Sequence, residues 1–335
     1  MDNIATCRAA YLLPFIDVLR DIGAPVTREL AKAKLPVMIE ETPEEFVSNV
    51  LIDEFLAKSE GRQGIDDLGW LWAEQFSTST FSAELLAALQ PMPTVKSRLD
   101  RFAILSKLED SDISVGVIKS NGSTEVFCDI PPIVGMSGLH ISEWTQVTAL
   151  MDIIRSITGA TWSPDEIRFQ SDFSVCDEAR EANPNTRFFA QSAHTSIIMP
   201  SSVLAASKLT CAAAHVPDPN IPEKPDGIEN MKRLIRPYLR AAAPKIEVFA
   251  EITGKCPRTL QRRLKQSGFS YSELIETTRF EFAVEMLVAP DIPLIDIAMT
   301  LGYENQSNFG RSFRHIAGIS PGKYRREMFC RERVA

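Results

Sequence analysis

Residues 250–264 read AEITGKCPRTLQRRL, and residues 298–313 read AMTLGYENQSNFGRSF. In both stretches an alanine is followed four residues later by a glycine, and then by a segment of the form apolar-x-Arg-x-apolar. The second copy begins about 48 residues after the first. A pattern that recurs in this way indicates two copies of one supersecondary unit.

The first copy has the properties of a helix-turn-helix motif. A short amphipathic helix, about 245–253, is followed by Gly254, which can take a positive φ and turn the chain sharply. The second helix carries Leu260 and Leu264 at i, i+4 spacing, so both can pack against the first helix. We therefore predict a helix-turn-helix motif over about 245–267.

The second copy follows the same plan. Its first helix is predicted at about 294–301, with Gly302 in the turn. Phe309 and Phe313 then take the apolar positions of the second helix. This predicts a second motif over about 294–316, and one helix from about 271 to 288 would join the two.

The outward faces of both second helices are polar and basic. The first copy presents Arg258, Gln261, Arg262 and Lys265, and the second presents Gln306, Ser307, Asn308, Arg311 and Arg314. Arg and Gln side chains can make bidentate hydrogen bonds to guanine or adenine in the major groove. For one copy alone, a solvated helix face would explain the pattern equally well. Two basic copies on one joining helix instead predict recognition of successive major-groove turns, about 34 Å apart.

These residues resemble the DNA-binding domain of AraC/XylS-type transcription regulators. The similarity covers about residues 228–328, and its most specific pieces are RTLQRRL (258–264), DIAMTLGYENQSNF (296–309), the pair Phe309 and Phe313, and GISPGKYR (318–325). The resemblance implies an all-α C-terminal domain of two helix-turn-helix motifs joined by a linker helix.

The resemblance also implies roles for individual residues. Base reading would fall to Arg258, Gln261, Arg262, Gln306, Ser307, Asn308 and Arg311. Phosphate contacts would come from Lys255, Lys265, Arg314, Lys323 and Arg325, with Lys232 and Arg236 adding to the neutralised charge. Arg279, on the joining helix, would have a structural role. Gly310 departs from the pattern, because many relatives carry a larger polar residue there, so we expect stronger direct readout from the first motif.

Composition and charge support a two-domain chain. The chain has 335 residues, 44% of them hydrophobic and 24% charged, which favours two folded domains over a disordered protein. Residues 226–335 carry 18 Lys+Arg and 13 Asp+Glu, a balance of +5, whereas the rest of the chain has a balance of −13. An acidic body with a basic C-terminal domain indicates that only the C-terminal domain meets a polyanion.

The predicted domain boundary is the sequence VPDPNIPEKPDG at 216–227, whose four prolines indicate a semi-extended linker. We predict a regulatory domain at 1–215 and a DNA-binding domain at 228–335. The regulatory domain is predicted to be mixed α+β, with helices first and a small antiparallel sheet after them. Its local signals are a capping box at 42–45, a helix from Thr94, a hairpin at Asn121-Gly122, a helix at about 142–157, and strands at 166–170 and 195–199. Its tryptophans, including Trp70 and Trp72, are more typical of a core than of ligand contacts.

The sequence argues against several classes of protein. No stretch approaches the roughly 20 apolar residues of a membrane helix, and the N-terminus does not resemble a secretory signal, which together predict a cytoplasmic protein. The six cysteines and four histidines show no metal-ligand spacing. GMSGL at 135–139 misses the nucleophile-elbow pattern, and no phosphate-binding glycine motif occurs. We expect no catalytic site, no metal and no cofactor.

The N-terminal part resembles the "arabinose-binding" type of regulatory domain that accompanies this DNA-binding domain in one branch of the family. The matching features are diffuse: the early helix with Leu19 to Gly23, Asp67-Leu68-Gly69, Pro93-Thr94, and a hairpin. The expected function is a sequence-specific transcription activator controlled by a small-molecule effector or by dimerisation. Its expected partners are double-stranded DNA, RNA polymerase, a small effector of unknown identity and a second copy of the chain, with no membrane.

Two alternatives stay open from the sequence. One is a ligand-independent DNA-binding or interaction protein, whose N-terminal domain serves only for dimerisation. The other is a DNA-repair fusion in which a cysteine accepts a methyl group. Cys256 lies beside basic residues that favour its thiolate, but the P-C-H-R signature of such proteins is absent.

Overall fold

The computed structural model describes residues 4–63, 67–129, 138–208, 227–289 and 291–332. Its strands are β1 (Thr6–Arg8), β2 (Phe46–Ser48), β3 (Ser114–Ser120), β4 (Ser123–Asp129), β5 (Glu166–Arg168), β6 (Arg187–Phe189) and β7 (Ser196–Pro200). Its first eight α-helices are α1 (Leu13–Asp21), α2 (Val26–Lys32), α3 (Asn49–Gln63), α4 (Leu68–Gln75), α5 (Ala83–Leu89), α6 (Val95–Leu105), α7 (Leu139–Thr158) and α8 (Asp177–Ala182). The others are α9 (Gly227–Ile235), α10 (Ile246–Ile252), α11 (Pro257–Gln266), α12 (Tyr271–Leu287), α13 (Leu294–Thr300), α14 (Gln306–Ala317) and α15 (Pro321–Glu332).

The chain divides into two compact units. The N-terminal unit comprises Ala5–Glu44 and Asn49–Lys224, and the C-terminal unit comprises Met1–Ile4, Glu45–Ser48 and Pro225–Ala335. The predicted linker lies outside the described residues except for Gly227, as does most of the GMSGL stretch at 135–139. The predicted domain bounds therefore stay a prediction. Within the described residues, no helix is both long enough and apolar enough to cross a bilayer.

The N-terminal unit is mixed α and β, as predicted. Its five-stranded sheet has the order β3-β4-β7-β5-β6, in which only β5 and β6 pair in parallel. The hairpin at Asn121-Gly122 is confirmed, because Ser120 pairs with Ser123 and the two turn residues have φ of 23° and 88°. Positive φ at both positions is what a two-residue hairpin turn requires. The strands predicted at 166–170 and 195–199 are present as β5 and β7.

The core of this unit forms where α6 and α7 pack on the sheet. The predicted helix at Thr94 is confirmed: Thr94 caps α6, and Ser97 completes the capping box. Trp144 and Leu150 of α7 are buried against apolar sheet residues. Trp72 is buried, and the ring of Trp70 meets that of Trp144 edge-on with centroids 5.1 Å apart. Trp70, half-buried, therefore packs against the core as predicted, whereas Trp72 is buried at the wall of a cavity.

The predicted helix start at Thr42 is wrong. Residues 46–48 form β2, and α3 begins only at Asn49. The glutamates of the supposed capping box bind arginines far along the chain instead: Glu44 accepts hydrogen bonds from Arg8 at 2.8 Å, and Glu45 lies 3.2 Å from Arg236. Both glutamates are thus engaged outside the helix that the capping box would have started, and a capping preference is worth only about 1 kcal/mol.

The C-terminal unit is helical where the repeat predicts helices. Helices α10 and α11 form the first motif, helices α13 and α14 form the second, and α12 joins them. This confirms the predicted all-α domain. The short segment 45–48 belongs to this unit by its packing. The guanidinium of Arg233 on α9 lies 5.0 Å from the centre of the Phe46 ring, and Arg236 pairs with Glu45.

Candidate functional site

The first motif has the geometry that the sequence predicts. The chain leaves α10 through Gly254, whose φ is +62°. Pro257 opens α11 at its first position, where the missing N–H of proline costs no hydrogen bond. Leu260 and Leu264 are buried. The packing of these two leucines fixes which face of α11 is turned outward.

The outward face of α11 is open and carries positive charge. Arg258, Gln261, Arg262 and Lys265 are all exposed. Within the described part of the chain, no carboxylate pairs with any of these four side chains. Long basic side chains held on a helix face without internal partners are free to bind anionic groups in solution.

The second motif is built more tightly than the first. Gly302 has a φ of +73° between α13 and α14. The side chain of Asn305 caps α14 by accepting a 2.9 Å hydrogen bond from the Asn308 backbone N–H. Phe309 and Phe313 are buried with their ring centroids 5.8 Å apart, as the i, i+4 spacing predicts.

The outward face of α14 is polar but partly engaged with itself. Gln306, Ser307, Arg311 and Arg314 are exposed, whereas Asn308 is half-buried. Nη2 of Arg311 donates a 2.6 Å hydrogen bond to Oδ1 of Asn308. Base contacts by these two residues would have to share or replace that bond. No atom of the described residues lies within 4 Å of a Cβ placed on Gly310, so packing among them does not require the glycine.

The basic residues predicted to contact phosphate fall into two groups. Lys265, Arg314 and Lys323 are exposed, and Lys255 is half-buried; the one ion pair of Lys323 among the described residues is an exposed contact with Glu327 at 3.7 Å. In contrast, Arg325 donates to the carbonyl of Ile292 at 2.7 Å, Lys232 bonds Glu281 at 2.5 Å, and Arg236 bonds Glu285 at 2.7 Å. Because these internal partners hold the last three side chains, we carry the phosphate prediction forward only for the first four.

Arg279 lies inside the unit rather than on the outward faces. Its guanidinium stacks over the ring of Tyr303 at 5.1 Å, which ties α12 to the turn of the second motif. This is the geometry of the structural role expected for it.

The comparison with known proteins concerns this unit above all. A family model described as a helix-turn-helix domain matches residues 249–327. The C-terminal unit carries an AraC-type helix-turn-helix domain. Over 97 residues the chain is 38% identical to the HTH-type transcriptional regulator VirS of Mycobacterium tuberculosis, which is 29% of this chain and 28% of that protein. Over 135 residues it is 25% identical to the transcriptional activator NphR of a Rhodococcus species, which is 40% of this chain and 38% of that protein.

The chain therefore spans well under half the length of each of these curated relatives. The 97 residues matched with VirS are about as many as the AraC-type domain contains. Among solved structures, the transcriptional regulator CdpR of Pseudomonas aeruginosa aligns with 89% of this chain and 96% of its own. Its sequence identity is 20% and its TM-score is 0.41.

The sequence gives no effector site, but the N-terminal unit contains a cavity of about 70 Å³. Its walls are largely apolar and aromatic, and they include Tyr11, Trp72, Phe81 and Phe102. Asp53, Glu109 and Asp110 also line it. One pair of lining residues could have been found from a local sequence pattern. Asn49 and Asp53 are four residues apart and therefore lie on the same face of α3, among buried apolar residues. The other lining residues come from segments too far apart along the chain to form a pattern.

Two further groups have chemistry that the AraC-type domain does not explain. The ligand atoms of Asp67, Cys176 and Glu178 lie within 4.8 Å of one another, and this is the one group of metal-ligating side chains found among the residues described. The thiol of Cys256 is exposed, and its hydrogen bond with the Thr259 hydroxyl, 3.1 Å away, lowers the pKa of that thiol. Cys256 precedes α11 directly, so it marks the start of the first outward face.

Proposed function

We propose that this protein is a sequence-specific DNA-binding transcription regulator rather than an enzyme. The observation that carries the proposal is the pair of helix-turn-helix motifs, each of which buries its apolar residues inward and turns a polar, basic helix face outward. The match of residues 249–327 to the AraC-type domain supports the same conclusion.

In this proposal, base reading falls to the outward faces of α11 and α14. On α11, Arg258, Gln261 and Arg262 reach the base edges in the major groove. On α14, the readers are Gln306, Ser307, Asn308 and Arg311. The first motif contributes more discrimination, because Arg258, Gln261 and Arg262 pair with no carboxylate in the described part of the chain and Gly310 leaves a gap on the second.

Phosphate contacts supply most of the affinity. The side chains assigned to these contacts are Lys255, Lys265, Arg314 and Lys323, of which Lys323 also lies 3.7 Å from Glu327 on the protein surface. Neutralising phosphates releases counterions, so the observed affinity falls steeply as the salt concentration rises. The positive balance of residues 226–335 against an acidic remainder directs this contact to the C-terminal unit.

We further propose that the protein is an activator that works with RNA polymerase. The name of the Rhodococcus relative, a transcriptional activator, supports this sign of regulation. The cavity in the N-terminal unit is where a small effector would bind, and homodimerisation is the other route of control. A coupling free energy of about 1–3 kcal/mol between effector and DNA would change occupancy roughly 5–150-fold.

The test is selection of random duplex DNA by the full-length protein at two salt concentrations. We expect enrichment of an asymmetric site with two conserved patches about 10 base pairs apart, one for each motif. Binding that is sensitive to salt but enriches no sequence would overturn the proposal, because the basic faces would then hold only phosphates.

The same binding reaction offers an independent footprint through cysteine alkylation. Cys256 is exposed at the start of α11, whereas Cys7 and Cys128 are buried. Bound DNA should protect Cys256 from iodoacetamide, as measured by peptide mass spectrometry. Unchanged alkylation of Cys256 under saturating DNA would place the first motif away from the duplex.

A further inference from the structure

We propose that the cavity of the N-terminal unit binds a small organic cation, an ammonium group on a short hydrocarbon body. The proposal deepens the proposed function, and it rests on that function only for the ligand's role as an effector. Binding itself follows from the walls of the cavity.

The cavity lining has hydrogen-bond acceptors without donors to match them. Asn49 is 6% exposed, and its side-chain nitrogen donates to both carboxylate oxygens of Asp110 at 3.1 and 3.0 Å, while its Oδ1 has no partner among the described residues. Gln146 is also 6% exposed, and no described residue donates a hydrogen bond to its Oε1. Buried acceptors of this kind are costly unless something donates to them. A ligand for this cavity must therefore bring N–H or O–H donors.

The charges of the lining select for a cation. Of its three carboxyl groups, Glu109 alone has a counter-ion among the described residues, because Arg8 binds it at 2.6 Å. Asp53 and Asp110 pair with no lysine, arginine or histidine among the residues that the structure describes. Burial raises the pKa of Asp53 to about 7 and that of Asp110 to about 6. An anionic ligand would meet three acidic groups, whereas a cation would supply the missing charge.

The remaining walls distinguish an organic cation from a metal ion. The aromatic rings of Tyr11, Trp72, Phe81 and Phe102 attract an ammonium group by cation–π interaction and pack on hydrocarbon. A calcium ion instead takes six to eight oxygen ligands. Among the described residues, the carboxylates of this cavity do not form a group of three ligand atoms within 4.8 Å. The volume of about 70 Å³ fits a ligand of roughly five non-hydrogen atoms.

The groups that face Asp53 set its pH response. Asp110 and Glu109 come from the segment after α6, and Cys7, Tyr11 and Cys128 add groups that are neutral at pH 7. The lining residues of α7 are Ser142, Thr145, Gln146 and Ala149, none of which is charged. A cation binds the ionised carboxyl, so its affinity should rise roughly tenfold per pH unit between pH 5 and 7.

The experiment is calorimetric titration of the full-length protein at pH 8 with butylammonium, 1-butanol and butyrate. Butylammonium and 1-butanol each have five non-hydrogen atoms and differ in charge, and the butyrate anion has six. We expect butylammonium to bind at least tenfold more tightly than 1-butanol, and butyrate not to bind. Equal affinity for the amine and the alcohol, or no binding of the amine, would overturn the proposal.

Two variants make the result specific to the site. Asp53→Asn should reduce the preference for butylammonium over 1-butanol severalfold, because Asp110 then remains as the one carboxyl without a counter-ion among the described lining residues. Glu54→Gln is the matched control, because Glu54 is the next residue of α3, pairs with Lys58 at 2.7 Å and does not line the cavity. This control should keep the preference. If Asp53→Asn keeps it as well, the carboxyl does not hold the cation and the proposal fails.

The pH profile of the unmodified protein provides a readout that does not depend on the variant folding. Butylammonium affinity should rise from pH 5 to 7, while 1-butanol affinity stays flat; parallel profiles would contradict a carboxylate–cation contact. These measurements contain no DNA. Failure here therefore leaves the proposed DNA-binding function untouched, and failure of the DNA selection leaves this binding site untouched.

Discussion

Gly302 lies directly against the carbonyl oxygen of Leu239. A Cβ on Gly302 would stand 2.1 Å from that oxygen, and the residue has a φ of +73°, in the left-handed region that disfavours side chains. The turn of the second motif is therefore fixed both by backbone conformation and by a close backbone contact.

Gly302→Ala should destabilise the C-terminal unit by about 2–4 kcal/mol, because the methyl group forces either the turn or residue 239 to move. Urea unfolding followed by circular dichroism would measure the loss. Gly268→Ala provides the comparison, since Gly268 also has a positive φ (+79°) but has nothing within 4 Å of its Cβ position. Equal losses in the two variants would show that the contact with Leu239 adds nothing.

Gly310→Ala should act in the opposite direction. Gly310 lies inside α14 with open space at its Cβ position, and glycine within a helix costs up to about 1 kcal/mol relative to alanine. We expect the variant to be more stable by about 0.5–1 kcal/mol in the same unfolding assay. If its DNA affinity falls despite this gain, the bare backbone at 310 approaches the duplex closely.

Arg262→Ala should cost about 1–3 kcal/mol of binding to the selected site and relax one base position. Lys323→Ala should instead weaken all sequences alike, because a phosphate contact carries no sequence information. Fluorescence anisotropy with selected and scrambled duplexes would separate the two. Arg28→Ala, an exposed arginine of the N-terminal unit, should change neither. Equal losses on both duplexes for Arg262→Ala would remove that residue from the base readers.

Arg8→Met should destabilise the N-terminal unit by about 3–5 kcal/mol. The side chains of Arg8 and Glu109 are 4% and 2% exposed, so the change leaves a buried carboxylate without a counter-ion. Adding Glu109→Gln should recover part of the loss in differential scanning calorimetry. Arg20→Met is the matched control, because the ion pairs of Arg20 are half exposed and screened by solvent, so they contribute little to stability. Similar effects at positions 8 and 20 would contradict the role of burial.

Asp53→Asn should stabilise the N-terminal unit at pH 8 and much less at pH 4. The pKa of Asp53 is raised from 3.8 to about 7, so the folded state keeps a proton that the unfolded state loses, and stability falls as pH rises through this window. Asparagine removes that penalty, which amounts to about 1–4 kcal/mol at pH 8. Melting temperatures measured from pH 4 to pH 8 would test this: the advantage of the variant over the unmodified protein should grow as the pH rises. A constant difference would mean that Asp53 is not held neutral by burial.

The parts of the fold that could be predicted share strong local signals. The two motifs followed from apolar spacing and a turn glycine, and the β3–β4 hairpin followed from Asn121-Gly122. The start of α3 was missed because the local signal at Thr42 competes with ion pairs to Arg8 and Arg236, which no local pattern reveals.

The same limit applies to the candidate sites. Exposure of the α11 face could be inferred from the burial of Leu260 and Leu264 on its opposite side. That Arg325 bonds Ile292, and Lys232 bonds Glu281, depends on partners 33 and 49 residues away. The cavity draws on segments from Cys7 to Ala149, so its chemistry is visible only once the chain has folded.

The packing of residues 45–48 with the C-terminal unit has a practical meaning for dissecting the protein. A fragment that starts at Gly227 would lack Glu45 and Phe46, and with them the ion pair of Arg236 and the ring beneath Arg233. No single cut of the chain yields a C-terminal piece with its native set of contacts. An isolated C-terminal fragment would thus understate the stability that this unit has in the intact polypeptide, and supplying the 45–48 segment as a peptide, or grafting it to the fragment, is the way to restore it.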